Sequence, residues 1–144
     1  MTLHAPYDAS NIFNKILRGE MPCVKVFEDE VALALMDVFP QVEGHTLVIP
    51  KQVEARNFLD MPEAKLGDYM LRVQKVTRAV EAGLKPDGIR VIQFNGAPAG
   101  QTVYHLHFHI MPIFDGVKPG AHASGGMKSA ADLEPVAARI RAGF

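Results

Sequence analysis

Half of the chain's six histidines fall within five residues, His105, His107 and His109, with Leu106 and Phe108 between them and Ile110 after them. Alternate side chains of a strand share one face, so the three imidazoles are expected to project together. Neighbours would stand roughly 6.6–7 Å apart, with the apolar residues anchoring the strand from behind. An imidazole titrates ordinarily near 6.5, so about three-quarters of it is neutral and nucleophilic at pH 7. Two chemistries fit the pattern. His-x-His can place two imidazoles on a zinc ion, although three consecutive alternate positions do not easily converge on one metal. The other chemistry is nucleophilic and acid–base work at phosphorus, with a protonated neighbour stabilising phosphate oxygens.

The preceding residues favour phosphorus. Asn95-Gly96-Ala97-Pro98-Ala99-Gly100-Gln101-Thr102 runs directly into the triplet. Its glycines allow unusual backbone angles and a close approach of amides to an anion. Asn95, Gln101 and Thr102 add uncharged donors that bind phosphate oxygens without a metal. A glycine-bearing loop is ordinarily just a turn; its place beside the triplet gives it weight.

The elements that must position these groups come next. Ser10 is read as the cap of a short helix carrying Ile12, Phe13, Ile16 and Leu17, ended by Gly19 and preceded by a loose leader at residues 1–9. Val24–Glu28 and Ala32–Asp37 read as a hairpin around Asp29-Glu30, and His45–Pro50 as a third strand. A long helix is expected from a capping box of Asp60 and Glu63, with Pro62 in its first turn. Its apolar positions are Leu66, Tyr69, Met70, Val73, Val76 and Val80, and Gly83 is read as its end. Gly88–Phe94 and Tyr104–Ile113 read as strands. Residues 115–126 read as irregular, and Asp132–Arg141 as a last helix. The expected fold class is α+β: an antiparallel sheet of about five strands, a long central helix, a short N-terminal helix, and the helices on one face.

The chain has 144 residues, 48% of them hydrophobic and 22% charged, with a formal net charge of −1. Such a chain suits one domain over residues 1–144, with a core at about 10–113 and an extension at 114–144. No broad basic field is available for nucleic acid. The single cysteine, Cys23, excludes an internal disulfide and fits a reducing compartment. Residues Met1 to Pro6 lack the pattern of a signal peptide, and no apolar run approaches the roughly 18 residues of a membrane span. A cytoplasmic protein with no membrane partner is the expectation.

The run His105-Leu106-His107-Phe108-His109-Ile110-Met111 resembles the signature of the histidine triad family. Further blocks are similar to its Hint-like branch, in matching order: Ile12-Phe13-Asn14-Lys15-Ile16, Met36-Asp37, Gly44-His45-Thr46-Leu47-Val48-Ile49-Pro50-Lys51, and Asn95 with Gly100-Gln101-Thr102-Val103. The resemblance covers about residues 10–113.

The resemblance implies a nucleotide hydrolase or transferase with a HIT-like fold. It implies that His107 attacks the α-phosphorus of a purine nucleoside phosphoramidate, an AMP amide or an aminoacyl-adenylate-like substrate. It implies further that His109 meets the α-phosphate and that His105 and His45 support the imidazoles. Asn95, Gln101 and Thr102 match contacts to phosphate and leaving group, and Asp37 matches the carboxylate that takes the ribose hydroxyls. Ile12, Phe13, Ile16, Leu35 and Val38 match the apolar walls of the base site. Many bacterial relatives carry Cys-x-x-Cys, holding a structural zinc together with histidines, where this chain has Asn11-Ile12-Phe13-Asn14. No cofactor and no metal are therefore expected. A homodimer is implied, with the long helix and the Gly88–Phe94 strand near the interface. Two alternatives stand beside the phosphoramidase reading: a dinucleoside polyphosphate hydrolase, and a nucleotide- or metal-binding module without a significant catalytic role.

Overall fold

Short, largely apolar runs bounded by turn-forming residues account for most of the sheet. The computed structural model describes residues 3–144, and its five strands form one antiparallel sheet in the order β1-β2-β3-β5-β4. The strands are β1 (Lys25–Glu28), β2 (Ala32–Met36), β3 (Thr46–Pro50), β4 (Gly88–Ile92) and β5 (Phe108–Ile113). Helices α1 (Ile12–Leu17), α2 (Glu63–Leu84) and α3 (Ala130–Arg141) complete an α+β fold of the expected class. The β1–β2 hairpin closes on Asp29, whose Oδ1 accepts from the amides of Val31 (2.9 Å) and Ala32 (3.0 Å).

The helices do not all lie on one face, as the sequence reading expected. Every residue of β2 and β3 is buried, so both faces of the central sheet need a cover. Ala32, Ala34, Met36 and Val48 meet Tyr69, Val73 and Val76 of α2 and Leu133, Val136 and Ile140 of α3. The alternate residues Leu33, Leu35, Leu47 and Ile49 meet Phe13 of α1 on the other side. Tyr69 donates its hydroxyl to the carbonyl of Val48 at 2.7 Å, tying α2 to β3.

Helix α2 carries its apolar stripe where periodicity puts it, but its ends differ. The capping box does not form. Pro62 is the N-cap without a side-chain bond, and Asp60 accepts from the Arg56 amide at 3.1 Å instead. The helix continues past Gly83 to Leu84, and Lys85 takes the left-handed conformation at φ 53°. Gly83 serves packing: a Cβ there would lie 2.2 Å from the carbonyl oxygen of Arg139 in α3. The two helices cross at backbone contact.

The leader is not loose from residue 3 onward, and Met1 and Thr2 lie outside the described residues. Asn57 Nδ2 donates to the Leu3 carbonyl at 2.8 Å, and the Tyr7 hydroxyl lies 2.6 Å from His105 Nδ1. Asn11, not Ser10, caps α1, its Oδ1 accepting from the Asn14 amide; Ser10 bonds Asp8. Strand β4 stops at Ile92 rather than Phe94, and β5 starts at Phe108 rather than Tyr104. Residues 115–126 are irregular as expected, yet they are tied to the loop after β2. Gly120 N–H donates to Gln41 O, and Lys128 N–H to Val38 O, each at 2.7 Å. α3 begins at Ala130, two residues earlier than expected, on a true capping box of Ser129 and Asp132.

Candidate active site

The late start of β5 makes the three histidines unequal. His109 stands on the regular strand, opposite Leu47 of β3 and Ile92 of β4. His105 and His107 stand in the irregular segment leading into it, which is held by Leu106 N–H to the Ala55 carbonyl at 2.9 Å. Leu106 and Ile110 are fully buried behind them, anchoring the segment as the alternation predicts. The rings of His107 and His109 lie 4.9 Å apart, and those of His109 and His45 lie 5.2 Å apart. His105 joins this group only through its backbone. Its own ring contacts are the Tyr7 hydroxyl at Nδ1 and the Pro50 carbonyl at Nε2, 3.1 Å away.

The hydrogen bonds assign the protons. His107 Nδ1 lies 2.7 Å from the His105 carbonyl, which only accepts, so Nδ1 carries the proton. The Nε2 lone pair of neutral His107 is left over. The Gln41 amide donates to His45 Nδ1 at 3.1 Å, so neutral His45 carries its proton on Nε2. That proton is offered to His109 Nδ1 at 2.9 Å, which puts the proton of His109 on Nε2. A bare imidazole nitrogen thus stands beside an imidazole N–H donor. Burial keeps the whole group neutral: it lowers His107 and His45 below the ordinary range, and holds His105 at about 4 and His109 at about 3.

Asp37, His45 and His109 offer ligand atoms within 4.8 Å of one another, a spacing that suits a metal ion. The donor chemistry does not. A metal-bound imidazole ordinarily donates through its other nitrogen. Here His45 Nδ1 is occupied by an incoming amide proton, so binding a metal at Nε2 would strip the ring of its last proton. Asp37 is also engaged, with Oδ1 accepting from the Phe39 amide at 2.8 Å and Oδ2 3.4 Å from His45 Nε2.

The other residues singled out from sequence fall into two groups. Phe13 lies edge-on to His107 at 4.9 Å and shares a cluster with Leu35 and Ile16, while Ile12 is exposed beside them. Val38 packs with the core under α2 instead. In the glycine loop, Gly96 and Gly100 have φ of 89° and 113°, which only glycine adopts freely. Gln101 is consumed by building that loop. Its Oε1 accepts from Gly96 N–H at 2.8 Å, and its Nε2 donates to the Arg56 carbonyl at 2.7 Å. Asn95 accepts from the Phe58 amide at Oδ1 (2.9 Å), leaving Nδ2 to give. Thr102 is exposed.

Sequence reasoning missed three contributors. Phe94 lies edge-on to His109 at 5.4 Å. Tyr7 bonds His105 from a segment read as loose. His122, in the irregular tail, comes near enough for its charge to depress His45 and His109 further, a smaller effect than their burial. Only a long-range tie such as Gly120 to Gln41 brings that tail to the site, and no local pattern announces it.

A sheet with this order and a histidine cluster at the mouth of its central strands defines a class, and the comparisons agree. A family model described as the HIT domain matches residues 18–116. The adenosine 5'-monophosphoramidase hnt1 of Schizosaccharomyces pombe is 42% identical over 103 residues, covering 72% of this chain and 74% of that protein. A HIT-like protein of Bartonella henselae, described as involved in cell-cycle regulation and solved with an unknown ligand, superposes with a TM-score of 0.90 at 44% identity. That match covers 97% of this chain and 100% of the other. A zinc-bound histidine triad protein of Mycobacterium smegmatis superposes with a TM-score of 0.79 at 32% identity, covering 93% and 92%. The chain belongs to the histidine triad family, in its Hint-like branch.

The Cys-x-x-Cys that the resemblance associates with a structural zinc is replaced at residues 11–14 of this chain. Asn11 and Asn14 stand in those places, and neither offers a thiolate. Asn11 caps α1, and Asn14 Nδ2 donates to the Ala9 carbonyl at 2.8 Å.

Proposed function

We propose that the protein is a nucleotide hydrolase or transferase acting as a purine nucleoside phosphoramidase. Its substrates are AMP amides or aminoacyl-adenylate-like compounds, and the reaction runs through a nucleotidyl-histidine on His107 without a metal ion. The observation that carries this reading is the His107 ring: Nδ1 is spent on the His105 carbonyl at 2.7 Å, and Nε2 is a free lone pair beside the His109 donor. The similarity to the fission-yeast monophosphoramidase supports the same substrate class.

In the first step with an AMP amide, His107 Nε2 bonds the α-phosphorus and the bond from phosphorus to the leaving nitrogen breaks, the nitrogen taking a proton from solvent to depart as the amine; an aminoacyl-adenylate-like substrate releases its carboxylate at the same step. The nucleotidyl imidazole is then cationic, and its Nδ1–H bond to the His105 carbonyl becomes charge-assisted, which stabilises the intermediate. Water next adds to phosphorus and loses a proton to solvent, the N–P bond breaks, and neutral His107 returns with AMP released. The His109 N–H and the free Asn95 amide donate to the phosphate oxygens. Asp37 takes the ribose hydroxyls, and Phe13, Ile16 and Leu35 wall the base.

The test is turnover of an AMP amide by His107→Ala and His107→Asn, with a diadenosine polyphosphate assayed beside it. A loss of at least about 10³-fold is expected for both variants on the amide. Near wild-type turnover would sink the assignment of His107.

We infer that two copies associate through the open edge of β4. Val91 is 45% exposed there, and Leu59 and Leu71 are exposed apolar residues outside the sheet. Mass by light scattering is expected to read a dimer, and a monomer would contradict the inference.

A further inference from the structure

We propose that Tyr7 is a positioning residue for the nucleophile: its hydroxyl, held by Asn11, locks His105 so that the His105 carbonyl in turn holds His107. The inference rests on His107 being the nucleophile.

The chain of contacts is continuous. Asn11 Nδ2 donates to Tyr7 Oη at 3.0 Å. Tyr7 Oη donates to His105 Nδ1 at 2.6 Å, with the two rings edge-on at 5.8 Å. His105 Nε2–H donates to the Pro50 carbonyl at 3.1 Å, at the end of β3. The His105 carbonyl accepts from His107 Nδ1 at 2.7 Å. Each donor and acceptor has one consistent proton, so no other tautomer of His105 satisfies both of its partners. Burial raises the Tyr7 hydroxyl above its ordinary range, which keeps it protonated and therefore a donor.

The local backbone explains why such a lock is needed. His105 and His107 precede the regular part of β5, so no strand ladder fixes the peptide between them. A buried ring pinned at both nitrogens supplies that constraint. His105 is fully buried, and losing either partner leaves a ring nitrogen unsatisfied in the interior. The same clasp reaches the base wall. Asn11 is the N-cap of α1, and α1 carries Phe13, whose ring lies edge-on to His107 at 4.9 Å. One hydroxyl therefore sets the nucleophile and the wall beside it in register.

The experiment is rapid-quench measurement of amine release from an AMP amide by the wild type, Tyr7→Phe, Asn11→Asp and the double variant, with melting temperatures alongside. Tyr7→Phe keeps the ring and removes only the donor. Asn11→Asp keeps an oxygen to cap α1, removes the amide donor, and adds an acceptor that draws the Tyr7 proton away from His105. A burst is expected in every protein. Its amplitude stays at one per active site, its rate constant at saturating substrate falls on the order of tenfold in each single variant, and the substrate concentration that half-saturates the burst rate changes less than about twofold. The double variant is expected to be no slower than Tyr7→Phe, because both changes cut one chain. A reduced amplitude at an unchanged rate constant, or rate losses that multiply, would show that Tyr7 only stabilises the fold. Wild-type rate constants in both single variants overturn the proposal too. A wild type that forms no covalent adduct overturns the His107 reading, and the clasp with it, whereas a normal wild-type burst confines any failure to Tyr7.

Discussion

Lowering the pH from 8 to 5 unloads stability stored in the buried histidines. Burial holds His105 at about 4 and His109 at about 3, against about 6.5 for an exposed imidazole. Unfolding at pH 5 exposes rings that take up protons which the folded rings refuse. The contribution is therefore complete above about pH 6.5 and drains as the pH falls toward the folded values. Between pH 8 and 5 each of the two loses about 2 kcal/mol, together roughly 4 kcal/mol, from a domain whose stability is of order 5–15 kcal/mol. Burial lowers His45 and His107 in the same direction, so the loss is not offset within the cluster. The window matters, because carboxylates lowered by partners, such as Glu28 beside Lys25 and Lys51, release their share only below about pH 5. Urea unfolding at pH 8 and pH 5, at fixed ionic strength, measures the difference directly. His109→Asn is expected to shrink it by about 2 kcal/mol. A wild-type difference under about 1 kcal/mol, or one that His109→Asn leaves unchanged, would refute the claim that these rings are buried and neutral.

The kcat/KM of the proposed amide reaction is expected to be flat from pH 7 to 8 and to fall only on the acid side, with an apparent pKa below 6.5, since burial favours the neutral form of His107, the proposed nucleophile. A midpoint above 7 in the free enzyme would contradict that ordering. Gly83→Ala gains about 1 kcal/mol of helix propensity but sets a Cβ 2.2 Å from the Arg139 carbonyl oxygen. A net loss of about 2 kcal/mol or more is expected in denaturant unfolding, and a stabilised variant would show that the helices part without cost.

The family and most of the scaffold were legible because they are written in local motifs and periodicity. Alternation placed Leu106 and Ile110 in the core behind the histidines, and the 3.6-residue stripe placed Tyr69, Val73, Val76 and Val80 of α2 against the sheet. Residue type alone made His107 a candidate, since imidazole is the side chain that is both nucleophile and base near pH 7. What local patterns do not encode is which groups meet across long separations. Whether Gly83 ends a helix or admits another one depends on Arg139, fifty-six residues away. Asp60 and Glu63 spell a capping box, yet Asp60 is claimed by the Arg56 amide. Gln101 looks free to bind phosphate until the fold gives it Gly96 and Arg56. The triplet itself shows the same division. Sequence determined that three imidazoles sit at alternate positions. Only the tertiary structure decided their inequality, because Tyr7 and Pro50 claim one ring, the His105 carbonyl orients the second, and His45 orients the third.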